Sequence, residues 1–427
     1  MEHDLREILT AGPAAADPDA AVRRRLAVEG ERIRVGAEVF APARVVVLAV
    51  GKAAAAMAHA AEDILDGRIA DGLVVTKRGY EAPQRRLKTM VAGHPTPDAG
   101  SVAAARDVEA LVLALHKDDL LLVLLSGGAS ALLADVAPGV DLEDVTRLTT
   151  DLLRSGAPID RINAVRKHIS TLKGGRLAHM ARPAMVVALV LSDVVGDDVS
   201  AIGSGLTVPD PTTLEDVADI LRRYDITVPR SIATYLERAA ETPKPGDPRF
   251  ARVATLVIGS GRLSCEAAAS RARALGYAPL ILSTLLTGAA RDLANVHAAI
   301  AREVAWSGHP LAAPCALISG GEATVVVRGE GKGGPNQEFA LALALALEGM
   351  AGWAALAVDT DGTDGPTDAA GGLVTGSTAG AIRAAGVDPA AALAANDAYP
   401  ALRAGGALLI TGPTGTNVND LRVVLVR

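Results

Sequence analysis

The sequence predicts an α/β protein of two doubly wound domains, with largely parallel sheets and a cleft between them. Three observations carry this reading. Residues 120–125 are an unbroken apolar run, the length of a strand buried on both faces of a parallel sheet. The run breaks at Ser126-Gly127-Gly128-Ala129-Ser130 and resumes as helix-forming sequence. The same strand–glycine–helix unit recurs at residues 45–50 with Gly51-Lys52, and at residues 254–258 with Gly259-Ser260-Gly261. A strand that opens a helix through glycines exposes backbone N–H groups at its carboxyl end, where open α/β sheets seat anions. An ordinary βα turn of small residues would read the same way at any one of these positions.

Along the chain, the first forty residues suggest a helix, a proline turn at residues 13–18 and a basic helix over 21–28. Strands follow at residues 45–50, 72–76, 88–92, 120–125 and 185–191, with helical segments such as 53–65 and 103–115 between them. Thr242-Pro243-Lys244-Pro245-Gly246-Asp247 is the best linker, dividing an N-terminal domain (1–245) from a C-terminal one (246–427). Beyond it, residues 279–282 read as a strand ending at Ser283-Thr284. Residues 315–318 run into Ser319-Gly320-Gly321-Glu322 and resume as strand over 324–327. Residues 339–347 alternate Ala and Leu as a strand would. Their composition and the preceding Asn336-Gln337-Glu338 favour a packed helix.

Composition excludes several function classes. Half of the 427 residues are hydrophobic but only 2% are aromatic, so Ala, Leu and Val must do the packing. The net charge of −7, without a basic tract or aromatic platform, argues against nucleic acid as partner. No apolar run approaches the ~20 residues a bilayer requires, and the acidic start Met1-Glu2-His3-Asp4 is unlike a secretion signal. Cys265 and Cys315 read as buried thiols of a reducing cytoplasm, and no CxxC or HExxH metal signature occurs. A soluble cytoplasmic monomer or homodimer acting on small molecules is expected.

Candidate chemistry collects at strand ends. Lys52 follows a buried strand, where a helix start ordinarily prefers an acid; it is either an anion clamp or a solvated lysine. Ser126, Gly127, Gly128 and Ser130 supply amides and hydroxyls for a phosphate or carboxylate. Arg166, Lys167, Lys173 and Arg176 form a basic segment able to hold a substrate carboxylate, or else a solvated helix face. Asp193, just past the strand 185–191, is placed to accept a hydroxyl proton or to hold magnesium, with Asp198 as a second candidate metal ligand. In the C-terminal half, Glu322, Asn336, Asp361, Thr414, Asn417 and Asn419 are candidates for a nucleotide site or a cleft wall. The stretch Asp359-Thr360-Asp361-Gly362-Thr363-Asp364 is no EF-hand, since Asp364 stands where glycine is needed and Ala370 where glutamate is. There is no Walker loop. Gly259-Ser260-Gly261 lacks the third glycine of a dinucleotide fingerprint, and the next strand ends without an acid for a ribose.

Taken together, Val50-Gly51-Lys52-Ala53, Gly93-His94-Pro95-Thr96-Pro97, Ser126-Gly127-Gly128-Ala129-Ser130, Asn163-Ala164-Val165-Arg166-Lys167-His168, Ser192-Asp193-Val194, Gly320-Gly321-Glu322 and Thr411-Gly412-Pro413-Thr414-Gly415-Thr416-Asn417-Val418-Asn419-Asp420 resemble the glycerate 2-kinase family. The C-terminal half of that family is the MOFRL domain. The match runs through nearly the whole chain in the family's order. It implies ATP-dependent phosphorylation of D-glycerate to 2-phosphoglycerate, with magnesium, in a cleft between two α/β domains. It also implies that Lys52 corresponds to the family's proposed catalytic lysine. The family pattern Gly-Gly-Arg-Asn-Gln-Glu appears here as Gly333-Gly334-Pro335-Asn336-Gln337-Glu338, so its arginine is absent; Lys332 or Arg166 could substitute. Some members are labelled hydroxypyruvate reductases, which would use NAD(P)H. A sugar-phosphate-binding regulator could employ the same anion loops.

Overall fold

The structure, a computed structural model, describes all of residues 1–427. The chain divides into two compact units: Pro18–Ser192 with Asp197–Ile258, and Met1–Asp17 with Asp193–Gly196 and Gly259–Arg427. They are called the N-terminal and C-terminal units below. The boundary expected after residue 245 falls instead near residue 258. The proline-rich segment precedes one further strand of the N-terminal sheet, and a linker composition does not reveal that the chain goes back.

The N-terminal unit opens with the helix Pro18–Arg25 and an antiparallel meander of β1 (Leu26–Glu29), β2 (Arg32–Val35) and β3 (Glu38–Phe40). The basic helix expected to reach Val28 stops at Arg25. Gly30, at φ 62°, permits a tight turn that pairs Leu26 with Val35, and this pairing supplants the last helical turn. A six-stranded sheet follows. Its strands are β4 (Arg44–Val50), β5 (Ile69–Lys77), β6 (Lys88–Ala92), β7 (Asp119–Leu125), β8 (Met185–Leu191) and β9 (Val253–Gly259), in the order β6-β5-β4-β7-β8-β9. β4, β5, β6, β7 and β8 pair in parallel, as expected. Every residue of β7 is buried, which is why it reads as a continuous apolar run.

The strand order reverses direction between β4 and β7. Chain leaving β4 turns towards β5, and chain leaving β7 turns towards β8, so the loops part and leave a crevice above these two carboxyl ends. Gly51 and Ser126 hold the two ends together. Ser126 N–H donates to the Val50 carbonyl at 3.0 Å, Lys52 N–H donates to Gly127 O at 2.9 Å, and Ala53 N–H donates to Ser126 Oγ at 3.0 Å. Gly51 has φ 131°, and a Cβ there would be driven into the Ser126 hydroxyl and carbonyl oxygens.

The C-terminal unit is built on a second six-stranded sheet. Its strands are β10 (Ala278–Ala289), β11 (Cys315–Thr324), β12 (Trp353–Asp359), β13 (Gly371–Thr375), β14 (Leu408–Leu409) and β15 (Asp420–Val426), in the order β10-β11-β15-β12-β13-β14. The α/β class holds here, but the expectation of parallel pairing does not. Only β10–β11 is parallel; β15 inserts antiparallel between β11 and β12, and β13 and β14 follow antiparallel. The strand expected at 279–282 runs on to Ala289. The one expected at 315–318 continues through Gly320-Gly321 to Thr324, so those glycines form no loop. Gly321, at φ 115°, sits where a side chain would strike the Leu286 backbone of β10. The glycine here permits strand contact and does not cradle an anion.

The helix Pro335–Ala346 forms as expected and is buried from Asn336 through Ala344. Its Ala-Leu alternation therefore reflects burial on every side, not strand geometry. The helix Ala290–Ser307 packs beside it and carries the buried His297. Nδ1–H of His297 donates to Leu293 O at 2.7 Å, and Nε2 accepts from Ser319 Oγ at 2.8 Å. No helix in the structure is long and apolar enough to cross a membrane.

Two predictions follow from these contacts. Burial holds the His297 imidazole down to about 4, whereas an unfolded histidine titrates near 6.5. The unfolded chain thus takes up the proton first. Stability from this group is complete above about pH 6.5 and is lost as pH falls towards about 4, by about 3 kcal/mol at most. His297→Gln should flatten that part of the pH dependence in urea unfolding, and an unchanged acid slope would count against the assignment. Gly51→Ala forces an L side chain into a positive-φ site against backbone and should cost about 2 kcal/mol or more. A thermal melt within a degree of the parent would show that the β4–β7 junction can relax.

Candidate functional site

In the N-terminal unit the structure gathers positive groups at the β4–β7 crevice. Lys52 lies in the turn after β4, half-buried, with no ion pair or hydrogen bond holding its ammonium. The space above Gly128 is bounded by the His94 ring, 3.0 Å from where a Cβ would stand, and by the Lys52 stem at 3.4 Å. Burial, then Lys52 and Lys77, lower the His94 pKa, so His94 faces the loop as a neutral imidazole at pH 7. The helix after the glycine loop is only Ala129–Leu132, a single turn with little dipole. The positive field expected from a helix N-terminus therefore has to come from Lys52 and Lys77.

The loop residues divide by role. Ser126 is buried and its Oγ accepts the Ala53 N–H, so it positions the loop. Gly128 takes φ 89° at the turn. Ser130 Oγ lies 2.8 Å from Ser204 Oγ, and the Ser204 hydroxyl donates to Asn163 Oδ1 at 3.3 Å. Gly128 faces His94 and the Lys52 stem, and the Gly127 carbonyl accepts the Lys52 N–H at 2.9 Å.

The basic segment resolves into one uncommitted cation. Lys167 pairs with Asp210 at 3.4 Å, and Arg176 donates to Lys167 O at 2.6 Å. Lys173, 5% exposed, is held by the Asp135 carboxylate and by Leu133 O at 2.8 Å. Its charge is cancelled locally, so it holds a wall instead of offering a free cation. Arg166 has no hydrogen bond or ion pair, and burial lowers its pKa. It lines a cavity of about 260 Å³ together with Ser130, Pro95 and Lys173.

In the C-terminal unit the expected residues gather at one end of the sheet, where β11 and β12 finish and β15 begins. Thr414 N–H donates to Asp361 O at 3.1 Å, and its hydroxyl donates to Thr360 O at 2.6 Å. Asn419, at φ 64°, accepts from Thr360 N–H and Thr360 Oγ1 through its carbonyl, while Asn417 Oδ1 accepts the Asn419 N–H at 3.1 Å. These three residues shape the loop. Asn336 is fully buried; its Nδ2 donates to Asp420 Oδ1 at 2.6 Å and to Asp364 Oδ1 at 3.2 Å, and its Oδ1 has no partner.

Acids dominate this edge. Asp359 stands opposite Asp420 in the β12–β15 register. Burial, then the neighbouring Asp361, raise Asp359 to about 8. Asp364 accepts N–H bonds from Asn336 and Gln337 at the start of the helix Pro335–Ala346, and burial raises it to about 7 against that pull. Glu322 is raised by burial, then by Asp420 and Asp193. The Pro335 position offers no cation, and Lys332 rests over the Tyr399 ring at 4.8 Å.

No three His, Cys, Asp or Glu side chains converge as a metal cage. Asp198 is spent on its own turn, accepting Ser200 N–H at 2.9 Å and Ser200 Oγ–H at 3.1 Å, which disfavours the metal role expected for it. Asp193 and Glu322, close enough to disturb each other, remain. Sequence reasoning gave no role to His94, Lys77 or Asp135. His94 and Lys77 end β6 and β5 or follow them directly, and the strand-end rule applied to every strand would have found both.

Comparisons with known proteins identify the family. A domain of unknown function (DUF4147) matches residues 4–237, and the MOFRL family matches residues 315–420. A glycerate 2-kinase from Pyrococcus horikoshii is 45% identical, covering 99% of this chain and 98% of its own. A D-glycerate 2-kinase from Thermotoga maritima is 48% identical over 90% of this chain and 91% of its own. An Agrobacterium vitis relative, provisionally named a hydroxypyruvate reductase, is 45% identical over 99% of this chain and 94% of its own. The crystal structure of the Thermotoga maritima glycerate kinase superposes with a TM-score of 0.90 at 44% identity, covering 99% of this chain and 98% of that one. With that similarity along both halves, the chain belongs to the glycerate 2-kinase family.

Proposed function

We propose that the protein is an ATP-dependent glycerate 2-kinase, converting D-glycerate to 2-phosphoglycerate in the cytoplasm as a monomer or homodimer. The observation that carries this reading is the uncommitted Lys52 beside Gly128 at the strand-order reversal, with a second uncommitted cation, Arg166, in the cavity that Ser130 of the same loop also lines. Phosphoryl transfer needs little covalent help from protein; it needs positioning and compensation of charge on the moving group. Lys52 and the glycine-loop amides supply that compensation, and Arg166 takes the glycerate carboxylate. Asp193 accepts the proton of the 2-hydroxyl as its oxygen bonds to the γ-phosphorus and ADP departs. His94, neutral, keeps the crevice from filling with competing charge.

Magnesium fits as the counter-ion of the nucleotide. Such an ion keeps waters and phosphates as most of its ligands and takes only one or two carboxylates from protein. Asp193 and Glu322 are the pair suited to it, since their mutual repulsion is what a cation relieves. When bound, the ion neutralises phosphate charge. In the same unit, Asp361, Asn336, Thr414, Asn417 and Asn419 form and brace the loops we assign to the nucleotide.

A reductase is disfavoured by β10. The strand after Gly259-Ser260-Gly261 runs from Ala278 to Ala289 without an acidic residue to hold a nicotinamide ribose.

Incubation with D-glycerate and ATP should release ADP and give a product whose phosphorus couples to the C2 proton in NMR. Loss of NAD(P)H with hydroxypyruvate, without ADP release from glycerate, would overturn the proposal; so would ligand binding with neither reaction. Lys52→Ala should lower kcat by about 10²-fold with an unaltered melt. Near-normal turnover in that variant would remove Lys52 from the mechanism. Asp193→Asn should lower kcat at every magnesium concentration if it takes the proton, and extra magnesium should restore activity only if its role is metal binding.

A further inference from the structure

Four neighbouring strands of the N-terminal sheet deliver side chains to one rim. β6, β5, β4 and β7 lie side by side in parallel, with Val50 paired to Val75 and Leu125, and Lys77 to Ala92. Lys77 closes β5, Lys52 follows β4, His94 follows β6 and the glycine loop follows β7. Strands stand about 4.8 Å apart, which puts β6 about 14 Å from β7. The His94 ring nonetheless comes within 3.0 Å of where a Cβ of Gly128 would stand. The chain after β6 therefore reaches back across the ends of β5 and β4, and brings the imidazole to the crevice.

Neither ammonium at this rim is neutralised. Lys52 and Lys77 form no ion pair. Lys77 is held instead over the Tyr80 ring, 3.9 Å from its centre, in a turn where Tyr80 N–H donates to Lys77 O at 3.1 Å. The acids nearest in sequence are engaged elsewhere. Asp98 caps the helix Ala99–Leu113, accepting Gly93 N–H and Ser101 N–H at 3.0 Å each, and Glu81 is held by backbone amides of its own turn. Burial comes first in lowering the His94 pKa, and the charges that add to it are Lys52 and Lys77 alone. Two like charges and a neutral imidazole around a loop without side chains make a site short of negative charge. A carboxylate would cancel one ammonium. A phosphate dianion would cancel both and still offer an oxygen to an imidazole N–H.

We infer that Lys77 and His94 are two further ligands of the transferred phosphoryl group, bound over Gly128 with Lys52, and that Tyr80 is the positioning residue that holds Lys77 there. The inference rests on the kinase reading and adds residues to its phosphate site. A phosphate dianion there also cancels the two charges acting on His94. The imidazole then takes a proton from solvent more readily, and returns it when phosphate leaves.

The test follows the His94 ring signals of the full chain by NMR, assigned by their loss in His94→Gln, as pH is varied with and without inorganic phosphate or 2-phosphoglycerate. Either probe should raise the midpoint of the His94 titration by about one pH unit. Lys77→Met should raise that midpoint in the absence of phosphate, and weaken binding of both probes by about 10-fold or more. Tyr80→Phe keeps the ring and should hold phosphate affinity within about 2-fold, whereas Tyr80→Leu should weaken it by about 3-fold or more. ADP release from D-glycerate should fall by about 10-fold or more in Lys77→Met and in His94→Ala, and by less in His94→Gln, which keeps an N–H donor. A His94 midpoint unmoved by either probe at up to about 10 mM overturns the inference. So does a Lys77→Met variant that binds phosphate and turns over like the parent. In both cases the kinase reading stands if the parent releases ADP from glycerate. If the parent releases none, the kinase reading fails and takes this inference with it.

Discussion

The contact between the ends of β4 and β7 is the constraint on which the candidate site depends. Only glycine at position 51 lets the two strands finish so close together, and only then can the Ser126 hydroxyl take the Ala53 amide. That bond places Lys52 over the glycine loop and sets its backbone against Gly127. The strand order does the rest, since the loops part above this pair alone. A site assembled this way owes its geometry to backbone in a rigid sheet, so its cations need not be fixed by salt bridges. Lys52 and Arg166 are left without partners, while Lys167 and Lys173 are paired with buried carboxylates.

The C-terminal unit solves a different problem, that of carrying charge inside an apolar core. Arg422 is fully buried in β15, with one nitrogen on Asp420 and its guanidinium 5.4 Å from the Phe339 ring centre; Nε and Nη1 have no partner. Asp420 in turn takes Asn336 Nδ2 and the Ala323 amide. One buried network thus joins β15, β11 and the start of the helix Pro335–Ala346. Removing any member would leave another buried and unsatisfied, which costs more than the contact itself contributes. The acids at the sheet edge sit on this network, and their raised pKa values arise from the same shortage of water.

Much of the N-terminal sheet was legible because burial on both faces leaves an unbroken apolar run, as at residues 120–125. Strand ends were legible because glycine and charge cluster there. Pairing direction was not. Nothing local in residues 420–426 tells that they return antiparallel between β11 and β12, since a central strand looks alike in either sense. Gly320-Gly321 resembled the loop at Gly127-Gly128 for a related reason: glycine serves close approach of a neighbouring strand as readily as close approach of an anion. The basic segment could not be resolved from sequence either. Which of Arg166, Lys167, Lys173 and Arg176 stays free depends on Asp135 and Asp210, remote in sequence. Ser126 turns out to brace the loop at Gly127-Gly128, and Asn336, Thr414 and Asn419 brace loops of the C-terminal unit.

The helix Glu2–Ala14 stands first in the chain yet belongs to the C-terminal unit. Asp4 accepts Tyr277 O–H at 2.6 Å and pairs with Arg427 at 3.0 Å, Glu7 pairs with Arg271, and Gly12 lies against Leu421 and Ser264. On the ribosome this helix emerges before the N-terminal unit, while the surface that receives it is completed only when β15 has been made. Until the helix Gly261–Ala274 is made, its apolar face, with Leu5 and Ile8, has no native partner, and the N-terminal unit must fold without capturing it. The unit therefore has the topology of a clasp whose two halves are made on either side of the N-terminal unit. No single cut in the gene separates the two units into continuous pieces.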